Sequence, residues 1–182
     1  MTKAARLVVV SGPSGVGKTS VCAALAAREE FERVITATTR TPRGNESHGV
    51  DYLFMDREEF ERVRDGGGFL EWALVHADLY AAPRDQAEAI LSRGRHALLN
   101  VDVQGAASIR ATNLPRLLVF LLPPSFDVLE ERLKGRGTDD EETIARRLGT
   151  ARLEMARRGE FDIEVVNDDV ERAADEIAAQ LC

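Results

Sequence analysis

The stretch that most restricts how this chain can fold is residues 7–19, where the apolar run Leu7-Val8-Val9-Val10 leads through Ser11 into Gly12-Pro13-Ser14-Gly15-Val16-Gly17-Lys18-Thr19. A run of branched apolar residues without polar alternation suits a strand covered on both faces, as in a parallel sheet flanked by helices. Residues 12–19 fit the pattern G-x-x-x-x-G-K-S/T, and Lys18–Arg28 after them reads as a helix. Strand, glycine-rich turn and helix in that order point several backbone N–H groups at one anion, and the helix dipole adds to them. In such a P-loop Lys18 reaches the β- and γ-phosphates and the Thr19 hydroxyl serves Mg²⁺. Gly12, Pro13, Ser14, Gly15, Val16, Gly17, Lys18 and Thr19 are therefore expected to bind a nucleoside triphosphate. A P-loop alone does not choose a reaction. The Asn-Lys-x-Asp motif that reads guanine in GTPases is absent.

Length and charge narrow the class further. A chain of 182 residues, 44% hydrophobic and 30% charged, suits one domain and buries roughly 70% of its unfolded surface, so no disulfide or metal staple is needed. Lys and Arg number 24 against 31 Asp and Glu, a net charge of −7, which argues against a nucleic-acid partner. The N-terminal apolar run is shorter than the ~7–15 residues of a secretory signal, and no stretch reaches the ~20 of a membrane span. A cytoplasmic protein with no membrane partner is expected. Cys22 and Cys182 form no disulfide framework or zinc spacing, and His48, His76 and His96 are too scattered to suggest metal binding or base catalysis.

Ala97–Val103, Leu117–Leu122 and Ile163–Val166 repeat the pattern of Leu7–Val10, with Arg33–Thr38 as a fifth strand, and helical patterns lie between them. The expected fold is α/β, a doubly wound parallel sheet. Asp56 and Thr138 each precede a glutamate, Glu59 and Glu141, by three residues, the spacing of a helix cap. A helix from Asp139 to about Arg158 turns Ile144, Leu148, Ala151 and Met155 inward and leaves Arg146, Arg147, Arg152, Arg157 and Arg158 largely solvated. Residues 36–83 differ in texture. Gly44, Gly49, the run Gly66-Gly67-Gly68, Tyr52, Tyr80 and Trp72 accompany short strand-like pieces (Asp51–Met55, Phe69–Val75) around the charged helix Arg57–Arg64. They read as a small subdomain inserted into a core of residues 1–35, 84–134 and 159–182, with a lid at about 135–158.

Arg40 and Arg43 stand three apart beside Pro42, a spacing that lets two guanidinium forks grip one phosphate. Glu71 lies in the apolar run Phe69-Leu70-Glu71-Trp72, where a carboxylate needs a partner. Guanine offers N1–H and N2–H₂ side by side, and an acceptor-only carboxylate takes both. Asp102 closes an apolar strand, a usual place for an acid that positions Mg²⁺. The series Thr38-Thr39-Arg40-Thr41-Pro42-Arg43 with Glu46, Gly49, Asp51 and Tyr52, then Phe69-Leu70-Glu71-Trp72, Asp102-Val103-Gln104-Gly105, Arg132 with Gly135-Arg136-Gly137, and Val166-Asn167-Asp168-Asp169 resembles the guanylate kinase family from Leu7 to about Asp169. The resemblance implies a P-loop fold that moves the γ-phosphate of ATP to GMP with Mg²⁺. It implies that Arg40, Arg43, Glu46, Tyr52 and Tyr80 serve the GMP phosphate side and that Thr36 and Glu71 read the base. Asp102 stands near both metal and GMP, Arg132, Arg136 and Arg147 converge on the phosphates with Lys18, and Asn167 contacts adenine.

The chain departs from the family pattern at Tyr80-Ala81-Ala82, where Tyr-Gly-Thr or Tyr-Gly-Ser is usual, and at Asn100, where an acid is common. Ala82 lacks a hydroxyl that would bond guanine O6, and Ala81 is expected to constrain a backbone that glycine leaves free. Guanylate-kinase-like binding modules with weak or no catalysis are the alternative class. They typically have a degraded P-loop, whereas Lys18 and Thr19 are intact. A sugar-phosphate kinase, the other enzyme reading, should lack Glu71 and the Arg40/Arg43 pair.

Overall fold

A computed structural model describes residues 4–75, 77–135 and 140–181. Strand β1 (Leu7–Ser11) passes through the P-loop into helix α1 (Lys18–Ala26), followed by β2 (Phe31–Arg33), β3 (Ala37–Thr38) and β4 (Leu53–Phe54). Helix α2 (Arg57–Asp65) precedes β5 (Phe69–Val75) and β6 (Asp78–Pro83), and β6 runs directly into α3 (Arg84–Ser92). Then come β7 (His96–Asn100), α4 (Val103–Arg110), β8 (Arg116–Leu122) and α5 (Phe126–Lys134). The described chain closes with α6 (Glu141–Ala156), a 3₁₀ turn at Arg158–Glu160, β9 (Ile163–Val166) and α7 (Val170–Ala179).

Five parallel strands in the order β2-β7-β1-β8-β9 form the main sheet. Central β1 explains its own sequence. Val8 and Val10 pack with Val21 and Leu25 of α1 and Ile177 of α7, while Leu7 and Val9 pack with Ile90 of α3 and Ile109 of α4. These four apolar β1 residues are each 0% exposed, each burial contributing roughly 1.5–3 kcal/mol. Helices therefore cover both faces, and the sheet is doubly wound. The P-loop leaves the carboxyl end of its middle strand, where such sheets bind ligands.

A second sheet, ordered β4-β3-β6-β5, draws all its strands from residues 37–83. It has its own small core of Ala37, Phe60, Phe69, Leu79 and Ala81, with the Phe60 and Phe69 rings 4.7 Å apart. Asp56 caps α2 by accepting from the Glu59 N–H at 2.8 Å.

Three expectations need correction. The single strand Arg33–Thr38 is two: Phe31–Arg33 edges the main sheet and Ala37–Thr38 belongs to the second. The break falls where Gln86 takes the backbone of Ile35, accepting from its N–H at 2.8 Å and donating to its carbonyl at 3.4 Å, which turns the chain away from β7. The strand drawn to Val103 stops at Asn100, because Asp102 caps α4 and Val103 opens that helix. Helix α1 ends at Ala26 rather than Arg28. The cap at Thr138 lies outside the described residues, and α6 is capped by Asp140, which accepts from the Thr143 N–H at 2.8 Å.

Candidate active site

The P-loop is shaped by residues that forbid a side chain. Gly17, the residue before α1, sits at φ 99°, and a Cβ there would strike the Asn167 amide. A Cβ on Gly12 would come within 2.6 Å of the Leu121 carbonyl oxygen. Helix α1 has no side-chain cap and no acid in its first turn, an arrangement that suits binding an anion at its N-terminus. Lys18 Nζ folds over the loop onto the carbonyls of Gly12 (2.6 Å) and Pro13 (3.1 Å). Thr19 is exposed beside it.

Arg132 and Asn167 brace the loop from outside. Arg132 donates to the carbonyls of Val16 (3.2 Å) and Asn167 (3.0 Å), and Asn167 Nδ2 donates to Val16 O at 2.7 Å. The structure thus puts the Arg132 guanidinium on backbone oxygens and leaves Asn167 only 3% exposed. Arg147 is half-buried on α6, and Arg136 lies outside the described residues. Sequence reasoning missed Glu154 on the same helix, seven residues beyond Arg147. Burial raises its carboxyl pKa, while nearby Lys18 and a hydrogen bond from the Ser14 N–H pull it down.

Across the cleft stands the arginine–tyrosine wall of the second sheet. Arg40 is 7% exposed and donates to Glu46 Oε1 at 2.9 Å and to the Thr41 carbonyl at 2.9 Å. Its guanidinium lies 5.2 Å from the Tyr52 ring centre. The bond to Glu46, then a bond to Tyr80, hold Arg40 above the usual arginine range. Glu46 also accepts from the Arg43 N–H at 2.8 Å, and both contacts lower its pKa. Glu46 therefore orients the Arg40 guanidinium and anchors the backbone at Arg43. The Arg43 side chain is exposed, and Tyr52 and Tyr80 meet edge to face at 6.2 Å.

Between the second sheet and the segment from the end of β7 to the cap of α4 lies a cavity of about 310 Å³ lined by Thr36, Tyr52, Glu71, Tyr80, Asn100 and Asp102, among others. Among the described residues no hydrogen-bond donor meets Glu71. Burial first, and the Asp102 charge second, push its carboxyl up to about 7. Asp102 is exposed, with Oδ1 accepting from the N–H groups of Gln104 (2.9 Å) and Gly105 (2.7 Å).

The sequence model of the family described as guanylate kinase matches residues 4–181. The chain belongs to the guanylate kinase family. It is 46% identical over 176 residues to the guanylate kinase of Oleidesulfovibrio alaskensis, covering 95% of this chain and 84% of that one. It is also 46% identical over 179 residues to that of Rhodococcus jostii, covering 97% and 86%. A crystal structure of guanylate kinase from Anaplasma phagocytophilum aligns at a TM-score of 0.74 and 31% identity, over 99% of this chain and 86% of that one. As a guanylate kinase family member the chain is an enzyme, an ATP-dependent nucleoside monophosphate kinase.

The departures from the family pattern now have places. Ala81 lies in ordinary strand register with Ala37 and Trp72, 0% exposed in the small core. Ala82 pairs directly with Glu71 across β5 and β6 and is 1% exposed, so the absent hydroxyl is absent beside the carboxylate. His96 is buried and accepts from the Arg6 N–H at 3.1 Å, Cys22 is buried with its thiol raised to about 12 by burial, and His76 and Cys182 lie outside the described residues. No helix among the described residues is long and apolar enough to cross a membrane.

Proposed function

We propose that the kinase moves the γ-phosphate of ATP to GMP between the two walls of this cleft, the P-loop holding ATP and the unit of residues 36–83 holding GMP. Glu71 carries the reading: a carboxylate facing a cavity with no protein donor suits a base that brings two. In this arrangement the N1–H and N2–H₂ of guanine donate to Glu71, and Thr36 adds a hydroxyl at the base. Arg40, Arg43, Tyr52 and Tyr80 hold the GMP phosphate, with Glu46 fixing the arginines.

An oxygen of the GMP phosphate attacks the γ-phosphorus while the bond to the β–γ bridging oxygen breaks and ADP leaves. The attacking oxygen is already anionic, so no general base is required. Catalysis is positioning and neutralisation of charge spread over the moving phosphoryl oxygens. Lys18 supplies a cation on the P-loop side. Arg136 and Arg147, from a lid at residues 135–158, supply more, and the closed lid keeps water from taking the phosphate. Thr19 and Asp102 offer hard oxygen donors, as Mg²⁺ requires. The exposed Asp102 commits Oδ1 to the α4 cap and keeps Oδ2 for the ion's water shell. An Mg²⁺ bound by these residues would supply neutralisation of phosphate charge. Arg132 and Asn167 act on ATP through the P-loop backbone they brace, with Asn167 beside the adenine.

Replacing the lysine separates binding from chemistry. Lys18→Met should abolish ADP formation while calorimetry shows GMP affinity retained within about threefold, since the two pockets are separate. Loss of GMP binding together with turnover would contradict the division of labour.

A further inference from the structure

Helix α4 holds a glycine where the backbone does not ask for one. Gly105 is not among the residues at positive φ, and glycine is the poorest helix former after proline, so alanine would suit the helix better. Space supplies the reason. A Cβ on Gly105 would stand 3.1 Å from Glu71 Oε2, 3.4 Å from Glu71 Cδ and 3.1 Å from Val101 Cβ. The residue is buried, and its N–H is tied to Asp102 Oδ1 at 2.7 Å, so the helix turn cannot back away without breaking its cap. Glu71, by contrast, meets no donor among the described residues, so no hydrogen bond from them fixes how far its carboxylate projects into the cavity.

From this we propose that Gly105 is a positioning residue for base recognition: its missing side chain is the recess that seats the Glu71 carboxylate. The inference rests on Glu71 as the base reader. A methyl group at 105 drives the carboxylate into the cavity, out of line with two adjacent donors whose hydrogen bonds depend on distance and angle. The expected damage is to GMP binding and base preference, not to ATP binding or helix stability.

A double-mutant cycle tests it, with GMP KM, ATP KM, kcat, the GMP-to-AMP preference and Tm measured for each variant. Gly105→Ala should raise the GMP KM roughly tenfold and lower the preference for GMP over AMP, with ATP KM within about twofold. In a Glu71→Asp background, where the shorter side chain withdraws from the new methyl, the same substitution should cost less than about threefold. Val101→Gly removes the Cβ of the other close contact and should not rescue. An equal penalty in both backgrounds, rescue by Val101→Gly, an unchanged GMP KM, or a parallel rise in both substrates' KM would each overturn the proposal. Should Gly105→Ala fold poorly, the cycle is read in Tm: recovery by Glu71→Asp supports the recess and recovery by Val101→Gly refutes it. Failure of the base-reading role itself looks different, because Glu71→Asp alone would then leave the GMP-to-AMP preference intact.

Discussion

A half-buried carboxyl that meets no donor among the described residues is shifted toward its protonated form, and this gives Glu71 a pH signature. Its carboxyl sits near 7 rather than 4.5 because burial and the Asp102 charge oppose ionisation. The fold thus favours the protonated group, and Glu71's contribution to stability is full below about pH 4.5 and lost as pH rises through about 7. Guanine needs the opposite state, since only the carboxylate accepts from both N1–H and N2–H₂. The GMP KM should therefore fall about tenfold between roughly pH 6 and pH 8 through this group. Glu71→Gln should remove that part of the profile, separating it from titration of the GMP phosphate. A profile of wild-type steepness in Glu71→Gln would remove Glu71 from base recognition. The glutamate was legible in the sequence because it interrupts an apolar run. Its glycine seat was not, because Gly105 reads as an ordinary helix residue until the strand opposite is placed.

At the scale of elements, P-loop, α5 and the end of β9 form one braced unit. The loop has no side-chain cap on α1 to hold it, so Val16 O is held from behind by Arg132 and Asn167. Arg132→Ala removes two charge-assisted bonds to carbonyls and should cost about 1–2 kcal/mol of stability, a fall of a few degrees in Tm. It should raise the ATP KM and leave the GMP KM unchanged. A raised GMP KM with a normal ATP KM would argue against the brace. The sequence announced the strand–loop–helix unit because its pattern is local. It did not show Arg132 turned onto the loop backbone, nor Glu154 beside Ser14, because those contacts join segments more than a hundred residues apart. The division of residues 31–38 between two sheets was hidden for a related reason: Gln86, from a distant helix, decides where the first strand ends.

Two hydrophobic layers lie against a five-stranded parallel sheet and a small core under a four-stranded one, and Leu70 and Ala82 of the second sheet pack into the layer of Leu7 and Val9, tying the two sheets together. The doubly wound architecture was readable from unalternated apolar runs, each too short for a membrane and too polar-bounded for a long helix. The inner details of the second sheet were not, because β3 and β4 have only two residues each and carry almost no periodicity. The whole arrangement predicts an acceptor site that reads a purine edge with Glu71 and lacks the hydroxyl at Ala82 and the acid at Asn100. ADP release measured with GMP, dGMP, IMP and AMP as acceptors at fixed ATP tests this directly. Opposing a carboxylate to adenine N1 should put the kcat/KM for AMP ~10⁴-fold or more below that for GMP. IMP, which keeps N1–H but lacks the 2-amino group, should fall between them. Comparable turnover of AMP and GMP would contradict a guanine-reading cleft.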